Sequence, residues 1–286
     1  MNMGLHFEPL AEKYMQITRA MLEQDPQSRR IFLRVLQDLP QAHTLVFEGE
    51  NPVAVFCTEE TDGALFFMLL VAPEFRRRGI GTAVLERAVS EHSGEIRIVH
   101  GFFNRDCAPA QRFAEKHGYT RHYDCAYMEY TGGPFPQTEL PVRPYTDEDY
   151  SESQAVRAEA FHRMRVMVGD FPESTVAQPS REDRLEWLRD AENYFVYTDR
   201  GEIVGVGHLE GNEIHSVSVR TDRQGQGIGR KFVPYLANVL MRRGHRTVAL
   251  ECVVGNPARK LYESLGFREA YTERFVRKHT AEEGKR

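Results

Sequence analysis

Residues 217–229 read VSVRTDRQGQGIG, and a related stretch occurs earlier in the chain, where residues 69–81 read LLVAPEFRRRGIG. Equivalent residues are 148 positions apart in every case: Arg76 with Gln224, Gly79 with Gly227, and Gly81 with Gly229. The same spacing aligns Gly118 with Gly266 near the end of each half. Two anchors at one spacing indicate an internal repeat, and therefore two homologous domains.

The length of 286 residues also fits two domains. Residues 131–136, TGGPFP, are rich in turn-forming residues and mark the expected junction. We therefore expect an N-terminal domain over residues 1–134 and a C-terminal domain over residues 135–286.

Each half has the same predicted order of elements. Segments rich in β-branched and aromatic residues and bounded by Gly, Asn or Asp predict strands over residues 44–48, 52–58 and 64–71, and over 194–198, 203–209 and 213–219. Helices are expected before these strands, over residues 12–23 and 33–38, and over 147–161 and 181–192. A helix follows each glycine turn, then a strand (96–101; 247–253) and a helix that stops at Gly118 or Gly266. The predicted fold class is α/β (α+β), with a mixed, largely antiparallel sheet flanked by helices in each domain.

Composition narrows the possible functions. The chain has 37 basic and 42 acidic side chains, a formal net charge of −5, which argues against a nucleic-acid-binding protein. No apolar run approaches the ~18 residues that a membrane span needs, and the N-terminal residues do not resemble a secretory signal. Four scattered cysteines without a C-x-x-C pair are typical of free thiols in a reducing compartment. We expect a cytoplasmic protein with no nucleic-acid or membrane partner.

The glycine turns have a definite physical use. Glycines let backbone N–H groups approach a ligand closely, and the helix that follows adds the positive end of its dipole. The ligand that such a turn fits best is a phosphate or pyrophosphate. No Gly-Lys-Ser/Thr follows, so the turn is not a Walker loop, and it is not the dinucleotide G-x-G-x-x-G motif.

The turns and one later motif resemble the GNAT superfamily of acyl-CoA-dependent N-acyltransferases. Residues 76–81 and 224–229 fit its Gln/Arg-x-x-Gly-x-Gly/Ala pattern, and residues 261–267, LYESLGF, fit its late motif. Because both halves match, the whole chain resembles a tandem GNAT protein. The resemblance implies acetyl-CoA as cofactor and no metal. The implied cofactor contacts are Val217, Ser218, Val219, Gln224, Gly225, Gln226, Gly227, Ile228, Gly229, Arg230 and Asn256 in the second half, and Arg76, Gly79 and Gly81 in the first. Asn256 departs from the family spacing, because it precedes Tyr262 by six residues rather than seven.

Acyl transfer to an amine requires that a proton leave an ammonium group whose ordinary pKa is near ~10.4, and that the departing thiolate receive one. The resemblance implies Tyr262 as the proton donor. It offers two glutamates as the base, Glu213 and Glu251, and the sequence does not decide between them. His215 lies two residues from Glu213, on the same strand face, and is a further candidate for orienting it.

The first half keeps the turn but not these side chains. At the spacing of 148, Leu65 replaces Glu213, Ala114 replaces Tyr262, and His100 lies near the position of Glu251. Neither leucine nor alanine can transfer a proton, so the first half is expected to be catalytically degenerate and to bind coenzyme A weakly or not at all. Its basic turn, Arg76 to Arg78, leaves cofactor binding open.

The sequence therefore predicts an N-acetyltransferase that acts on a primary amine of a small molecule, with the chemistry in the C-terminal domain. Residues 162–184, together with Phe161, are expected to shape the acceptor pocket. The acidic net charge favours a cationic acceptor. Two other functions remain open: a non-catalytic coenzyme A-binding sensor or scaffold, and an acetyltransferase for protein N-termini or lysines. A longer acyl donor, and a monomer or a homodimer, are also compatible with the sequence.

Overall fold

The structure is a computed structural model that describes residues 4–61, 63–92, 96–137, 139–169 and 179–280, without the side chains of Asp38 and Pro40. The chain divides into two compact units. One consists of Met1–Asp124 with Thr272–Arg286, and the other of Cys125–Tyr271. The chain thus passes from one unit to the other within the last strand of each half.

The elements of the first half are β1 (Leu5–Pro9), α1 (Met15–Glu23), α2 (Pro26–Asp38), β2 (His43–Glu48), β3 (Asn51–Thr61), β4 (Ala64–Val71), α3 (Ile80–Glu91), β5 (Ile98–Asn104), α4 (Ala108–Lys116) and β6 (Thr120–Tyr130). Those of the second half are β7 (Val142–Pro144), α5 (Tyr150–Val168), α6 (Arg181–Arg189), β8 (Tyr194–Asp199), β9 (Glu202–Glu210), β10 (Glu213–Val219), α7 (Ile228–Arg242), β11 (Val248–Val253), α8 (Ala258–Ser264) and β12 (Arg268–His279).

Both units have the same strand plan. In the first, β1, β2, β3 and β4 are antiparallel neighbours, β5 pairs parallel with β4, and residues 273–279 pair antiparallel with β5. In the second, β7, β8, β9 and β10 are antiparallel neighbours, β11 pairs parallel with β10, and residues 125–130 pair antiparallel with β11. The predicted mixed, largely antiparallel sheet with flanking helices is confirmed.

The core of the second unit lies between its sheet and α7. Phe232, Leu236 and Leu240 recur every four residues, so they share one helix face, and each is 0% exposed. A Cβ atom at Gly207 of β9 would come within 2.6 Å of Leu236 Cδ1. Glycine at this position therefore allows α7 to pack closely on the sheet.

Two features differ from the sequence prediction. Helix α2 begins at Pro26 rather than at residue 33, because Asp25 caps it by accepting a hydrogen bond from the Ser28 amide at 3.2 Å and proline suits the first helical position. The long strands β6 and β12, which follow Gly118 and Gly266, were not predicted at all. Both glycines have positive φ values, 78° and 97°, as the predicted helix stops require. Among the described residues, no helix combines the length and the apolar character needed to span a bilayer.

Candidate active site

The parallel strands β10 and β11 separate part of the way along their length. They pair only at Glu213 with Ala249 and at Ile214 with Leu250, although β10 continues to Val219. On its other side, β10 stays paired with β9, with a register shift between Ile214 and Ser216. Such a bulge increases local twist and re-aims the strand. Beyond Ile214, therefore, the edge of β10 that would pair with β11 faces an opening between the strands.

The glycine turn lies at the end of this opening. Gln224 Nε2 donates a hydrogen bond to the Val219 carbonyl oxygen at 3.0 Å, which fixes the turn to the end of β10. Gly225 and Gly227 have φ values of 78° and 83°, and a Cβ atom at either would meet nothing within 4 Å. Gly227 also precedes α7 without a side-chain cap. The backbone here is thus in a conformation that glycine favours, and it borders free space at the positive end of a helix.

A cavity of about 500 Å³ joins the opening to the turn, a size within the usual range for small-molecule sites. Its lining includes all but one of the cofactor contacts expected in the second half: Val217, Ser218, Val219, Gln224, Gly225, Gly227, Ile228, Gly229, Arg230 and Asn256. The exception is Gln226, whose Nε2 donates to the Asp222 carbonyl oxygen at 3.2 Å. Asn256 also has a structural role, because its Oδ1 accepts a hydrogen bond from the Ala258 amide at 2.9 Å at the start of α8.

Tyr262 of α8 lines the same cavity and is only 7% exposed. Its ring meets that of Phe267 edge-on, with centroids 6.3 Å apart. Burial raises the pKa of the Tyr262 phenol well above its usual range, so the hydroxyl stays protonated at neutral pH. Burial likewise raises the pKa of the nearby Cys252 thiol to about 11, so this thiol is neutral. Tyr262 therefore brings a protonated hydroxyl to the cavity wall.

The two candidate bases lie outside the cavity lining, on the sheet face opposite α7. Glu213 is half-buried, and the Tyr127 hydroxyl donates a hydrogen bond to its Oε1 at 2.8 Å. Glu251 is exposed, and Cys125 Sγ lies 3.8 Å from its Oε2. His215, expected as a possible partner of Glu213, has its Nδ1 3.3 Å from Glu210 Oε2. A proton moving between the cavity and either glutamate would need water or the acceptor itself as a bridge.

Part of the segment expected to shape the acceptor pocket lies among the described residues. Phe161, Met164 and Met167 of α5 line the cavity together with Arg163. Asp170, Phe171 and Glu173 lie outside the described residues.

The turn in the first unit has different surroundings. Arg76 Nε donates to the Val71 carbonyl oxygen at 2.9 Å, and its guanidinium also pairs with Asp25. Arg78 Nη2 contacts both carboxylate oxygens of Glu48, at 2.9 and 2.8 Å. Gly79 has a φ of 86°, and a Cβ atom at Gly81 would lie 3.0 Å from Phe113 Cε2. Two of the three arginines in this turn are thus already paired with carboxylates.

The positions equivalent to Glu213 and Tyr262 are apolar in the first unit. Leu65, which the spacing of 148 aligned with Glu213, is 0% exposed in the core with α3, because β10 has a bulge that β4 lacks; Ala64, which pairs with Thr61 as Glu213 pairs with Glu210, takes the equivalent place. Ala114, at the position of Tyr262, is 7% exposed. None of these residues offers a titratable group.

Sequence reasoning missed Tyr127. This tyrosine lies on β6, in the half expected to be degenerate, yet it belongs to the second unit. Alternation along YDCAYMEY, residues 123–130, indicates a strand, and recognising it would have placed Tyr127 and Glu129 on one face.

Comparisons with known proteins cover both halves. A family model described as the Acetyltransferase (GNAT) family matches residues 160–267, and a second, described as an Acetyltransferase (GNAT) domain, matches residues 40–121. A mycothiol acetyltransferase from Saccharomonospora viridis is 30% identical over 261 residues, which span 81% of this chain and 82% of that protein.

Solved structures support the same fold. A GCN5-related N-acetyltransferase from Sphaerobacter thermophilus superimposes with a TM-score of 0.73 at 22% identity, covering 96% of this chain and 95% of that one. A tandem GNAT protein from the clavulanic acid biosynthesis pathway has a TM-score of 0.63 at 17% identity, with 96% and 98% covered. At these identities the likeness establishes the fold alone.

Proposed function

Since the chain belongs to the GNAT family of acetyltransferases, we propose that it moves an acetyl group from acetyl-CoA to the primary amine of a small molecule, with the chemistry in residues 135–286. The observation that carries this proposal is the single cavity that joins the opening beside β10, the glycine turn and Tyr262. In the first half, Leu65 and Ala114 are buried and offer no side chain that could transfer a proton.

The residues of the second half fit coenzyme A. The turn amides around Gly225 and Gly227 border free space and suit a pyrophosphate, and Arg230 in the first turn of α7 adds positive charge. The unpaired edge of β10 at residues 217–219 offers backbone groups to the amides of a pantetheine arm. Bound there, acetyl-CoA would supply the activated acetyl thioester.

Side chains on the two sides of the sheet would accept the proton from the ammonium group and donate one to the leaving sulfur. Glu213 or Glu251, on the face opposite α7, would accept the proton that the acceptor ammonium must lose, through water because neither lines the cavity. Tyr262, on the α8 side, holds a proton at its hydroxyl for the leaving sulfur. The base and the acid thus act at different atoms of the reacting groups, one at the amine nitrogen and the other at the leaving sulfur.

A small-molecule acceptor is supported by the relative named mycothiol acetyltransferase, which aligns over most of both chains. The Phe161, Met164 and Met167 side chains give the cavity an apolar wall, and Arg163 lies beside them. We infer an acceptor that presents one amine next to a less polar part.

The test is calorimetric titration of acetyl-CoA into the intact protein and into two matched variants, Gly227→Glu and Gly79→Glu. Both glycines have nearly the same φ, 83° and 86°, so both substitutions impose similar backbone strain. We expect one binding site, lost in Gly227→Glu because the new carboxylate repels the pyrophosphate, and retained in Gly79→Glu. Thiol release with a panel of primary amines then reports turnover. No binding to the intact protein would refute the proposal, and binding retained in both variants would place the site elsewhere.

A further inference from the structure

We propose that Tyr127 is a positioning residue that makes Glu213, rather than Glu251, the carboxylate that accepts the proton. This inference rests on the function proposed above and adds a residue and a choice that the sequence left open. It is carried by the hydrogen bond from the Tyr127 hydroxyl to Glu213 Oε1, at 2.8 Å.

The contact spans two strand spacings. In the register of the second unit, Tyr127 on β6 is paired with Glu251 on β11, whereas Glu213 on β10 is paired with Ala249 on β11. The phenol therefore reaches diagonally across β11 to β10, past its immediate neighbour. Ala249, a small residue that is 0% exposed, occupies the intervening position on that face and leaves room for the ring.

A stacked neighbour fixes the ring of Tyr127. The rings of Tyr127 and Tyr271 lie nearly parallel, at 12°, with centroids 4.9 Å apart. Tyr127 is itself only 8% exposed. A buried and stacked ring has little rotational freedom, so its hydroxyl holds Glu213 in one orientation without a large entropic cost on each turnover.

The charges nearby explain why one carboxylate must be selected. Glu210 on β9 is the register partner of Glu213, and Glu129 on β6 is the register partner of Ala249. Together with Glu251 they place four carboxylates on one face of the sheet, so the proton acceptor must be selected by a specific contact rather than by residue type.

Three other titratable groups on this side contact different residues. His215 contacts Glu210, His208 contacts Asp190 at 2.7 Å, and the guanidinium of Arg157, on α5, lies near the rings of Phe161 and Trp187. A hydrogen bond donated to the ionised form favours that form. The phenol of Tyr127 donates to Glu213 Oε1 and so holds this carboxylate in the form and orientation that can accept a proton.

The variant Tyr127→Phe removes the hydroxyl and keeps the stacked ring, and Tyr271→Phe is the matched control because it changes the other ring of the same stack. For the best acceptor of a primary-amine panel, we expect Tyr127→Phe to lower kcat about tenfold and to move the acid limb of the kcat/KM pH profile up by about one pH unit, the size that a hydrogen bond to a charged group supports. The KM for acetyl-CoA should not change, and the control should keep the wild-type profile.

A second readout needs no acceptor. Carbon-13 NMR of the full chain, labelled at glutamate carboxyls and with the Glu213 signal assigned through Glu213→Gln, follows the titration of this group directly. We expect its midpoint to rise in Tyr127→Phe only. An unchanged midpoint would overturn the positioning role whether or not turnover is found. A raised midpoint combined with full activity of Glu213→Gln and loss of activity in Glu251→Gln would overturn the choice of base. Failure to find any acceptor would count against the proposed function, while the NMR result would still decide the contact.

Discussion

The two glycine turns have nearly the same backbone conformation but lie in different surroundings. In each, a long polar side chain holds the turn to the last residue of the preceding strand: Arg76 Nε to the Val71 oxygen at 2.9 Å, and Gln224 Nε2 to the Val219 oxygen at 3.0 Å. In each, a left-handed glycine starts the next helix. The same backbone conformation thus forms a strand-to-helix turn in both units. The turn by itself does not make a binding site.

The strands beside the turns differ in their pairing. In the first unit, β4 and β5 pair over four residues, from Ala64 with Ile98 to Phe67 with Gly101, and the β3–β4 ladder has no register shift. In the second unit, β10 and β11 pair over two residues only, and β10 carries a bulge. In both units the strand continues beyond this pairing, to Val71 and to Val219, so each turn follows an edge that is not paired with the parallel strand; the bulge and the shorter pairing belong to the second unit. The comparison indicates that the bulge and the residues around each turn, more than the glycine motif, distinguish the surroundings of the two turns.

The largest effect expected from this comparison is at Tyr262, the position that Ala114 occupies in the first half. Tyr262→Phe should lower kcat by about 100-fold, since loss of a general acid costs on the order of 10²–10⁴-fold. Acetyl-CoA affinity should be retained because the ring still fills its place against Phe267. Thiol release measures kcat, and calorimetry measures affinity. An unchanged kcat would remove Tyr262 from the mechanism and erase the chemical difference between the halves.

How far the sequence predicts these differences depends on the range of each contact. The predicted strands and most cavity-lining residues between positions 217 and 229 follow from local patterns, because strand alternation and a glycine turn act within a few residues. The hydrogen bond between Tyr127 and Glu213 joins residues 86 positions apart through a strand that was not predicted. Choosing between Glu213 and Glu251 needs that pairing, which only the folded sheet provides.

The next largest effect is at Arg76, which we interpret as a structural residue in place of Gln224. Arg76→Gln keeps an amide donor for the Val71 oxygen but removes the ion pair with Asp25, a residue that is 7% exposed and also caps α2. Leaving a buried carboxylate without its cation should lower the free energy of unfolding by about 1–3 kcal/mol, discounted because the arginine is partly exposed.

Thermal unfolding of Arg76→Gln, Asp25→Asn and the double variant tests this role. The double variant should lose less stability than the sum of the two single variants, because neither partner is then left unpaired. Acetyl-CoA binding should stay at the wild-type level in all three. Weaker binding in Arg76→Gln would instead show that the first turn contributes to a cofactor site.

The smallest effect distinguishes a buried histidine in the first unit, His43, from a half-buried histidine in the second, His208. Burial lowers the pKa of His43 and of His208, yet His208 has Asp190 as a partner at 2.7 Å, whereas His43 Nε2 is buried without a hydrogen-bond partner among the described residues. A histidine whose folded pKa lies below its unfolded value binds fewer protons when folded, so its neutral form is favoured above pH ~6.5 and folding loses stability as the pH falls below that value. The loss is at most about 1.4 kcal/mol per pH unit for each histidine.

We therefore expect the Tm deficit of His43→Gln, measured at pH 7.5, to shrink as the pH falls to 5.5. The Tm deficit of His208→Gln should shrink less, because Asp190 partly stabilises the protonated ring. Equal changes in the two variants would mean that the Asp190 contact does not distinguish the histidines, and no change in either would mean that neither governs stability in this pH range.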